Sequence, residues 1–228
     1  MPEEIEKGTL YIVATPIGNL DDISFRAVKI LSGVNAIAAE DTRTTKVLLD
    51  HLKIRKELIS YYSYNEMRRA PYIIDRLKQR ESIAVVSDAG TPGISDPAYH
   101  IIHEAVEAGI TVKAIPGAAA FLQALIVSGF PTHRFVFEGF LPLKKGRKKR
   151  IQDLSEEGRT VVLYESPHRL IRTLQELQGA LGDREIAMGR ELTKKFEEVL
   201  RGRISEVLQA LSLKKLRGEF VIVIAGKE

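Results

Sequence analysis

The stretch that decides the fold runs from Ile83 to Pro97 and reads IAVVSDAGTPGISDP. Its opening residues, Ile83–Val86, form an apolar run rich in β-branched side chains, which is typical of a strand buried on both faces. The segment from Ser87 to Pro97 then holds two Gly, two Pro, two Asp and two Ser, more turn-forming residues than a simple connection needs. We predict a helix next, with Asp96 as its N-cap and Pro97 as its first residue.

A strand, a long glycine-containing loop and a helix are the parts from which an open α/β sheet forms a ligand crevice at the carboxyl ends of its strands. Connections between a strand and a helix usually take about 2–6 residues, so the loop from Ser87 to Pro97 is longer than its connecting role requires. The alternative interpretation is an ordinary long connection. We favour a loop that binds a cofactor.

The composition is that of a soluble globular protein, with 228 residues, 44% of them hydrophobic and 28% charged. Because the sequence has no cysteine, disulfides and thiolate metal sites are excluded, and we expect a cytoplasmic protein. The uncharged stretch from Ala114 to Thr132 approaches the length of a membrane span. Pro116-Gly117 and Gly129 interrupt it, so we predict a buried helix over Ala118–Val127 and no membrane partner.

The net charge of +4 is concentrated in one short segment, Leu143–Arg150, which reads LKKGRKKR. Without its six basic residues the 34 basic residues of the chain fall to 28, against 30 acidic ones. A local excess of this kind indicates a docking site for a polyanion, and the alternative is a solvated surface. The candidate RNA-binding residues are Lys144, Lys145, Arg147, Lys148, Lys149 and Arg150.

Predicted strands and helices alternate along the chain, which indicates an α/β fold with a largely parallel sheet in the first half. The predicted strands of that half are 9–14, 36–39, 58–62, 83–86 and 111–115. Those of the second half are 134–138, 160–165, 185–191, 197–203 and 220–225. Pro116-Gly117 and the apolar helix after it suggest a hinge, so we predict two α/β domains, 1–117 and 118–228.

Four loops with small residues or Pro follow predicted strands, where backbone could approach a ligand closely. They are Thr15–Asn19, Ser87–Thr91, Pro116–Ala119 and Tyr164–Glu165. The sequence has neither GxGxxG nor GxxxxGK[ST], so no dinucleotide fold and no P-loop is indicated. Its five histidines have no zinc-ligand spacing, and we predict no metal site.

Six segments that include these loops resemble, in their order, the tetrapyrrole methylase superfamily, and within it the branch that methylates ribosomal RNA. The segments are TPIGNLDDIS, AAEDTRTT, VVSDAGTPGISDP, IPGAAA, YESPHR and ELTK, and the resemblance extends from Gly8 to Ala225. It implies two α/β domains with S-adenosylmethionine in the cleft between them, and a homodimer. The apolar candidates for a dimer surface are Phe121, Phe130, Phe135 and Phe137.

The resemblance also implies which residues hold the cofactor. They are Pro16, Ser87, Asp88, Ala89, Gly90, Thr91, Pro116, Gly117, Ala118, Ala119, Tyr164, Glu165 and Met188. Ser87 and Ala89 stand where relatives that act on tetrapyrroles usually have Gly and Pro, which favours the RNA branch. Members of that branch methylate a ribose 2′-hydroxyl of a cytidine in the decoding region of 16S rRNA, so the implied partner is 16S rRNA in the small ribosomal subunit.

A ribose hydroxyl is a weak nucleophile, so a general base would assist its attack. The candidates at predicted strand ends are Glu40, Asp41, Glu165 and Glu191, with Lys194 as a further candidate if burial lowers its pKa. For each of them a structural ion pair is the alternative role. Two other functions compete: a methyltransferase for a tetrapyrrole or another small molecule, and a non-catalytic RNA-binding factor in ribosome assembly.

Overall fold

The computed structural model describes residues 5–212 and 215–227. The chain divides into two compact units, Met1–Ala119 and Ala120–Glu228, which we call unit 1 and unit 2. The division falls after Ala119, whereas the sequence suggests a hinge after Gly117. Each unit contains one five-stranded sheet.

Unit 1 is built on a sheet with the strand order β3-β2-β4-β1-β5, in which every pair is parallel. Its strands are β1 (Thr9–Val13), β2 (Ala36–Ala39), β3 (Glu57–Ser60), β4 (Ile83–Val86) and β5 (Thr111–Ile115). Central strand β4 is buried along its whole length, as its apolar sequence predicts. Since all five strands run the same way, their carboxyl ends meet at one edge of the sheet.

Four helices cover the two faces of this sheet: α1 (Phe25–Gly33), α2 (Thr42–His51), α3 (Glu66–Lys78) and α4 (Ala98–Glu107). The side chain of Ser24 caps α1, and that of Asp41 caps α2. Helix α4 begins one residue later than expected, with Pro97 at the cap position. The Asp96 carboxylate is turned back into the preceding loop, where it accepts a hydrogen bond from the Gly93 N–H.

The two faces of the sheet carry separate apolar clusters because alternate residues of each strand point to opposite sides. Leu10 of β1 belongs to the cluster formed with α3 and α4, which includes Ile73 and Ile101. The next residue, Tyr11, belongs to the cluster on the opposite face with Ile30 of α1. Unit 1 is thus a three-layer α/β arrangement with helices on both sides of a parallel sheet.

Unit 2 has a mixed sheet of order β6-β7-β10-β8-β9. Only the pair of β6 and β7 is parallel, and the other three pairs are antiparallel. The strands are β6 (Phe135–Phe140), β7 (Thr160–Glu165), β8 (Glu185–Arg190), β9 (Glu198–Arg203) and β10 (Phe220–Ile224). The helices are α5 (Ala120–Ser128), α6 (Arg147–Asp153), α7 (Leu170–Leu181) and α8 (Ile204–Ser212).

Helix α5 differs from the expected buried helix. Ala124 and Leu125 are buried, but Ile126 is 60% exposed and Leu122 and Val127 are also exposed. The helix is apolar on all sides, and only one of its faces packs within the single chain. None of the helices in residues 5–212 and 215–227 is long and apolar enough to cross a membrane.

Candidate functional site

Two backbone hydrogen bonds join the loops that follow β1 and β4. The Thr15 N–H donates to the Gly90 carbonyl at 2.8 Å, and the Gly90 N–H donates to the Thr15 carbonyl at 3.1 Å. The Thr15 hydroxyl also donates to the Ser87 carbonyl at 3.2 Å. The loop after β4 is therefore folded back and fixed against the end of β1.

Gly90 is required by this local packing. Its φ is +88°, a conformation that favours glycine, and a Cβ at this position would lie 3.2 Å from the Ile17 Cγ2 atom. A Cβ at Gly117 would lie 2.7 Å from the Cβ of Ala14, which is closer than real contacts. The two glycines thus allow the chain's own loops to approach one another, whereas the sequence suggests approach to a ligand.

The edge of unit 1 brings together most of the residues expected at the cofactor. Asp88 and Ala89 are exposed at the tip of the loop after β4, and Pro116 and Gly117 are exposed after β5. The Thr91 hydroxyl joins the two loops by donating to the Ala118 carbonyl at 2.9 Å. Ten of the expected residues belong to this edge, namely Pro16, Ser87, Asp88, Ala89, Gly90, Thr91, Pro116, Gly117, Ala118 and Ala119.

Three acidic residues lie side by side where β2 and β4 end. The Asp88 carboxylate accepts a hydrogen bond from the Asp41 N–H at 2.9 Å, and the Glu40 carboxylate accepts one from the Asp88 N–H at 3.4 Å. Hydrogen bonds from Arg43 lower the pKa of Asp41 to about 2. Burial raises the pKa of Glu40, and the charges of Asp88, Asp96 and Asp41 raise it further. Glu40 is therefore a stronger base than Asp41.

Glu165, another candidate base, is buried and fully engaged by its neighbours in unit 2. Its carboxylate accepts hydrogen bonds from the Ser166 N–H at 2.7 Å and the Thr173 hydroxyl at 2.6 Å. It also pairs with the Arg169 guanidinium at 2.7 Å. Removing one partner of a buried pair typically costs about 3–5 kcal/mol, so the contacts of Glu165 fit a structural role.

The two remaining candidates, Glu191 and Lys194, form an ion pair at 3.0 Å. Burial lowers the pKa of Lys194, but its hydrogen bonds and charge interactions with Glu191 and Glu219 outweigh that effect, and the pKa is raised. Burial likewise raises the pKa of Glu191, yet Lys194 and the Glu219 N–H reverse the direction and lower it. Lys194 stays protonated at neutral pH, so it does not fit the role of a base.

The two other cofactor candidates in unit 2 have contacts within that unit. The Tyr164 hydroxyl accepts a hydrogen bond from the Phe121 N–H at 3.2 Å, and its ring packs on Phe137 at 5.2 Å between centroids. Met188 lies in the centre of the apolar core and has no exposed surface. Its side chain cannot line a ligand site, which differs from the expectation based on resemblance.

The basic segment is divided by the fold into exposed and internal residues. Helix α6 begins at Arg147, and a groove of about 800 Å³ runs between α6 and α7. Four exposed lysines of the segment form what we call the lysine cluster: Lys144, Lys145, Lys148 and Lys149.

Arg147 is a buried residue that holds α6 against α7. Its guanidinium bonds to the Glu176 carboxylate at 2.6 Å, the Thr173 hydroxyl at 2.7 Å and the Pro142 carbonyl at 3.2 Å. Because these contacts use its donors inside the protein, we assign Arg147 a structural role in place of the expected RNA contact. Arg150 is exposed, but it is paired with Glu138 at 2.6 Å.

Solved structures of similar fold include methyltransferases. Uroporphyrin-III-C-methyltransferase from Thermus thermophilus matches with a TM-score of 0.67 at 20% identity, over 96% of this chain and 94% of that chain. Diphthine synthase matches with a TM-score of 0.71 at 13% identity, over 95% of this chain and 90% of that chain. At these identities the likeness establishes the fold: two α/β domains of the kind found in tetrapyrrole methyltransferases.

The sequence comparison then establishes the family. Residues 9–208 match the Tetrapyrrole (Corrin/Porphyrin) Methylases, and the chain belongs to that family. It is 46% identical to the ribosomal RNA small subunit methyltransferase I of Thermotoga maritima, over 97% of this chain and all of that protein. The Bacillus subtilis protein of the same name is 48% identical over 97% of this chain and 76% of its own length. The chain is a methyltransferase that uses S-adenosylmethionine.

Proposed function

We propose that this protein methylates the ribose 2′-hydroxyl of a cytidine in the decoding region of 16S rRNA. The observation that carries the proposal is the 46% identity to a ribosomal RNA small subunit methyltransferase I over nearly the whole chain. The lysine cluster supports it, because four exposed lysines on one segment suit a polyanion such as RNA. A non-catalytic assembly factor would explain the lysines but not the family.

The loops after β1, β4 and β5 fit the cofactor, and we propose that they hold it. Ala89 and Gly117 leave backbone exposed at the ends of β4 and β5, which lie on either side of β1, and the Asp88 carboxylate has lone pairs for hydroxyl or ammonium donors. When bound, S-adenosylmethionine supplies a methyl group on a positively charged sulfur. The loops would hold that methyl group in line with the acceptor oxygen, and such alignment lowers a large part of the activation barrier.

The cofactor site is tested by replacing Ala89 with Leu. Ala89 is exposed, so the larger side chain should fill the space of the ligand and lower S-adenosylmethionine affinity about 10-fold or more, while the folded protein stays stable. Calorimetric titration measures the affinity. Ser95→Leu is the matched control, because Ser95 is exposed in the same loop but farther from the strand end. If the two variants bind S-adenosylmethionine with equal affinity, the loop after β4 is not part of the cofactor site.

We propose Glu40 as the general base that accepts the proton of the ribose hydroxyl. It lies at the end of β2, next to the loop after β4, and its raised pKa makes it a better proton acceptor than an ordinary glutamate. Of the five candidates from the sequence, it combines a partly exposed carboxylate with a raised pKa. Asp41, with its pKa of about 2, is too weak a base.

The reaction is tested by methyl transfer to 16S rRNA in small subunits from a deletion strain, with the modified nucleotide mapped afterwards. Glu40→Gln should lower the rate by about 10²–10⁴-fold, the usual effect of losing a general base, and leave S-adenosylmethionine affinity unchanged. Because the raised pKa keeps Glu40 protonated to higher pH, the wild-type rate should fall on acidification at a pH above 4.5, the ordinary value for glutamate.

Asp41→Asn serves as the control for Glu40→Gln, since asparagine also caps a helix, and its effect on the rate should be much smaller. A Glu40→Gln rate within a factor of three of wild type would exclude Glu40 as the base. No ribose methylation of 16S rRNA by the wild-type protein would overturn the proposed function itself.

We propose that the lysine cluster contacts RNA phosphates. Lysine ammonium groups bind phosphate as point charges and position the nucleic acid without reading its bases. Arg147 is excluded from this role by its burial, and the pairing with Glu138 makes Arg150 a weaker candidate. The contact is therefore electrostatic and should depend on salt.

The test replaces all four lysines of the cluster with Ser. For single-stranded RNA each phosphate contact contributes about −0.7 to the slope of log affinity against log salt, so the slope should flatten by about 2 or more. The control removes the same charge from exposed positions in unit 1: Lys29, Lys46, Arg55 and Lys78. An equal slope in the two variants would show that the lysine cluster is an ordinary solvated surface and does not contact RNA.

We further propose a homodimer that works in the cytoplasm, where its rRNA substrate is found. The four phenylalanines expected at the interface are only partly exposed, and three of them pack together in unit 2. The exposed apolar face of α5, with Ile126 at its centre, is the better candidate to meet a second copy.

Light scattering should give twice the chain mass of 25.5 kDa for wild type and the single mass for Ile126→Asp. A Val47→Asp control, on α2, should stay dimeric, and a monomeric wild type would refute the dimer.

A further inference from the structure

The loop between β3 and α3 exposes an unusual group of large side chains. Tyr64 is 97% exposed, Met67 71% and Tyr62 40%. The rings of Tyr62 and Tyr64 lie edge to face with centroids 6.4 Å apart. No core function explains these aromatic rings, because their surfaces are open to solvent while the preceding Tyr61 is buried in the core of unit 1.

A buried asparagine holds the backbone of this loop. The Asn65 side chain accepts a hydrogen bond from the Tyr62 N–H at 2.8 Å and donates one to the Ser60 carbonyl at 3.2 Å. The N–H groups of Asn65 and Glu66 both donate to the Tyr62 carbonyl, at 2.8 and 3.0 Å. The backbone of Tyr62 is therefore fixed on both sides, which reduces the conformational entropy that the loop would lose on binding a ligand.

This surface lies at the same edge of unit 1 as the proposed catalytic residue. Strand β3 runs parallel to β2, and the Tyr61 N–H donates to the Ala39 carbonyl at 2.8 Å, directly before Glu40. The end of β4 is two strands away, which is about 10 Å in a regular sheet. The tyrosines thus stand beside the position where the 2′-hydroxyl is proposed to lose its proton.

Two arginines follow the tyrosines on α3, beyond Glu66 in its first turn. Arg68 is exposed on the first turns of α3 and Arg69 is half-buried beside it. The Nε–H of Arg69 is buried and has no hydrogen-bond partner in the part of the chain that the structure describes. Because the protein encloses that atom, what the two arginines offer an RNA strand is their positive charge and the exposed donors of Arg68.

We propose that Tyr62 and Tyr64 form a stacking surface for unpaired bases of an RNA strand, with Arg68 and Arg69 facing its phosphates. The proposal rests on the proposed function, since it concerns the same substrate and the same edge of unit 1. Exposed aromatic rings beside arginine are the combination with which proteins bind single-stranded RNA, because every base has a π-face and phosphates need a cation. Double-stranded RNA offers no such free base faces.

A direct test uses Tyr64→Trp, since the chain has no tryptophan of its own and the new indole reports on one position. Titration with single-stranded oligocytidylate should quench the indole fluorescence, because a nucleobase stacked on the ring quenches its emission. Tyr72→Trp is the matched control: Tyr72 is exposed on α3, the helix that follows the loop, nearly two turns beyond the first residue of that helix. Quenching of both variants to the same degree, or of neither, would overturn the proposal.

A second test separates stacking from charge. Tyr64→Ala should lower the affinity for single-stranded oligocytidylate about 5- to 100-fold, while Tyr64→Phe keeps the ring and should bind like wild type. The salt slope should not change in either variant, because no phosphate contact is lost. Affinity for double-stranded RNA should also stay unchanged. A loss in Tyr64→Phe equal to that in Tyr64→Ala, or an equal loss for double-stranded RNA, would rule out stacking.

These measurements do not depend on methyl transfer, so the two proposals fail separately. If wild-type protein does not methylate 16S rRNA but Tyr64→Trp is quenched by RNA, the stacking surface stands and the proposed reaction is wrong. If methylation occurs and the fluorescence does not respond, the reaction stands and the stacking surface is wrong.

Discussion

The paired backbone hydrogen bonds between Thr15 and Gly90 are the contact on which the architecture of the site depends. They fold the loop after β4 onto the end of β1, and the positive φ of Gly90 makes that fold possible. The loop can then carry Asp88 and Ala89 outward without being mobile itself. A rigid loop of this kind places ligand-binding groups at the carboxyl edge, where an open parallel sheet has its crevice.

The same edge concentrates negative charge, and this has two consequences for chemistry. Backbone N–H groups link Glu40, Asp41 and Asp88 at two adjacent strand ends, and the charges of Asp88 and Asp41 help to raise the pKa of Glu40. The Arg43 contacts stabilise the ionised form of Asp41, and the burial of Glu40 has the opposite effect on that residue. Two sequence neighbours thereby acquire different proton affinities, which is how a site obtains one permanent anion and one proton acceptor.

Features set by local sequence could be predicted, and features set by distant contacts could not. β2, β4 and β5 have the predicted bounds because each is a short, mostly apolar run between turn residues. Arg147 is buried because it bonds to Glu176 and Thr173, which lie on a later helix. The lysines next to it in the sequence are exposed, so the local sequence could not predict its burial. The mixed sheet of unit 2 likewise depends on β10 pairing with β7 and β8. The tyrosine loop was missed because exposure of Tyr64 is visible only in three dimensions.

The two proposed RNA contacts divide recognition into parts with different physical requirements. The lysine cluster attracts any phosphate chain, and its contribution weakens as salt rises. A stacking surface at Tyr62 and Tyr64 adds an energy that salt does not screen, and it is available only to bases that are already unpaired. Neither part reads a base edge, so neither distinguishes cytidine from another nucleotide. On this proposal the two contacts position an unpaired strand near Glu40, and the shape of the folded RNA contributes to which 2′-hydroxyl reaches it.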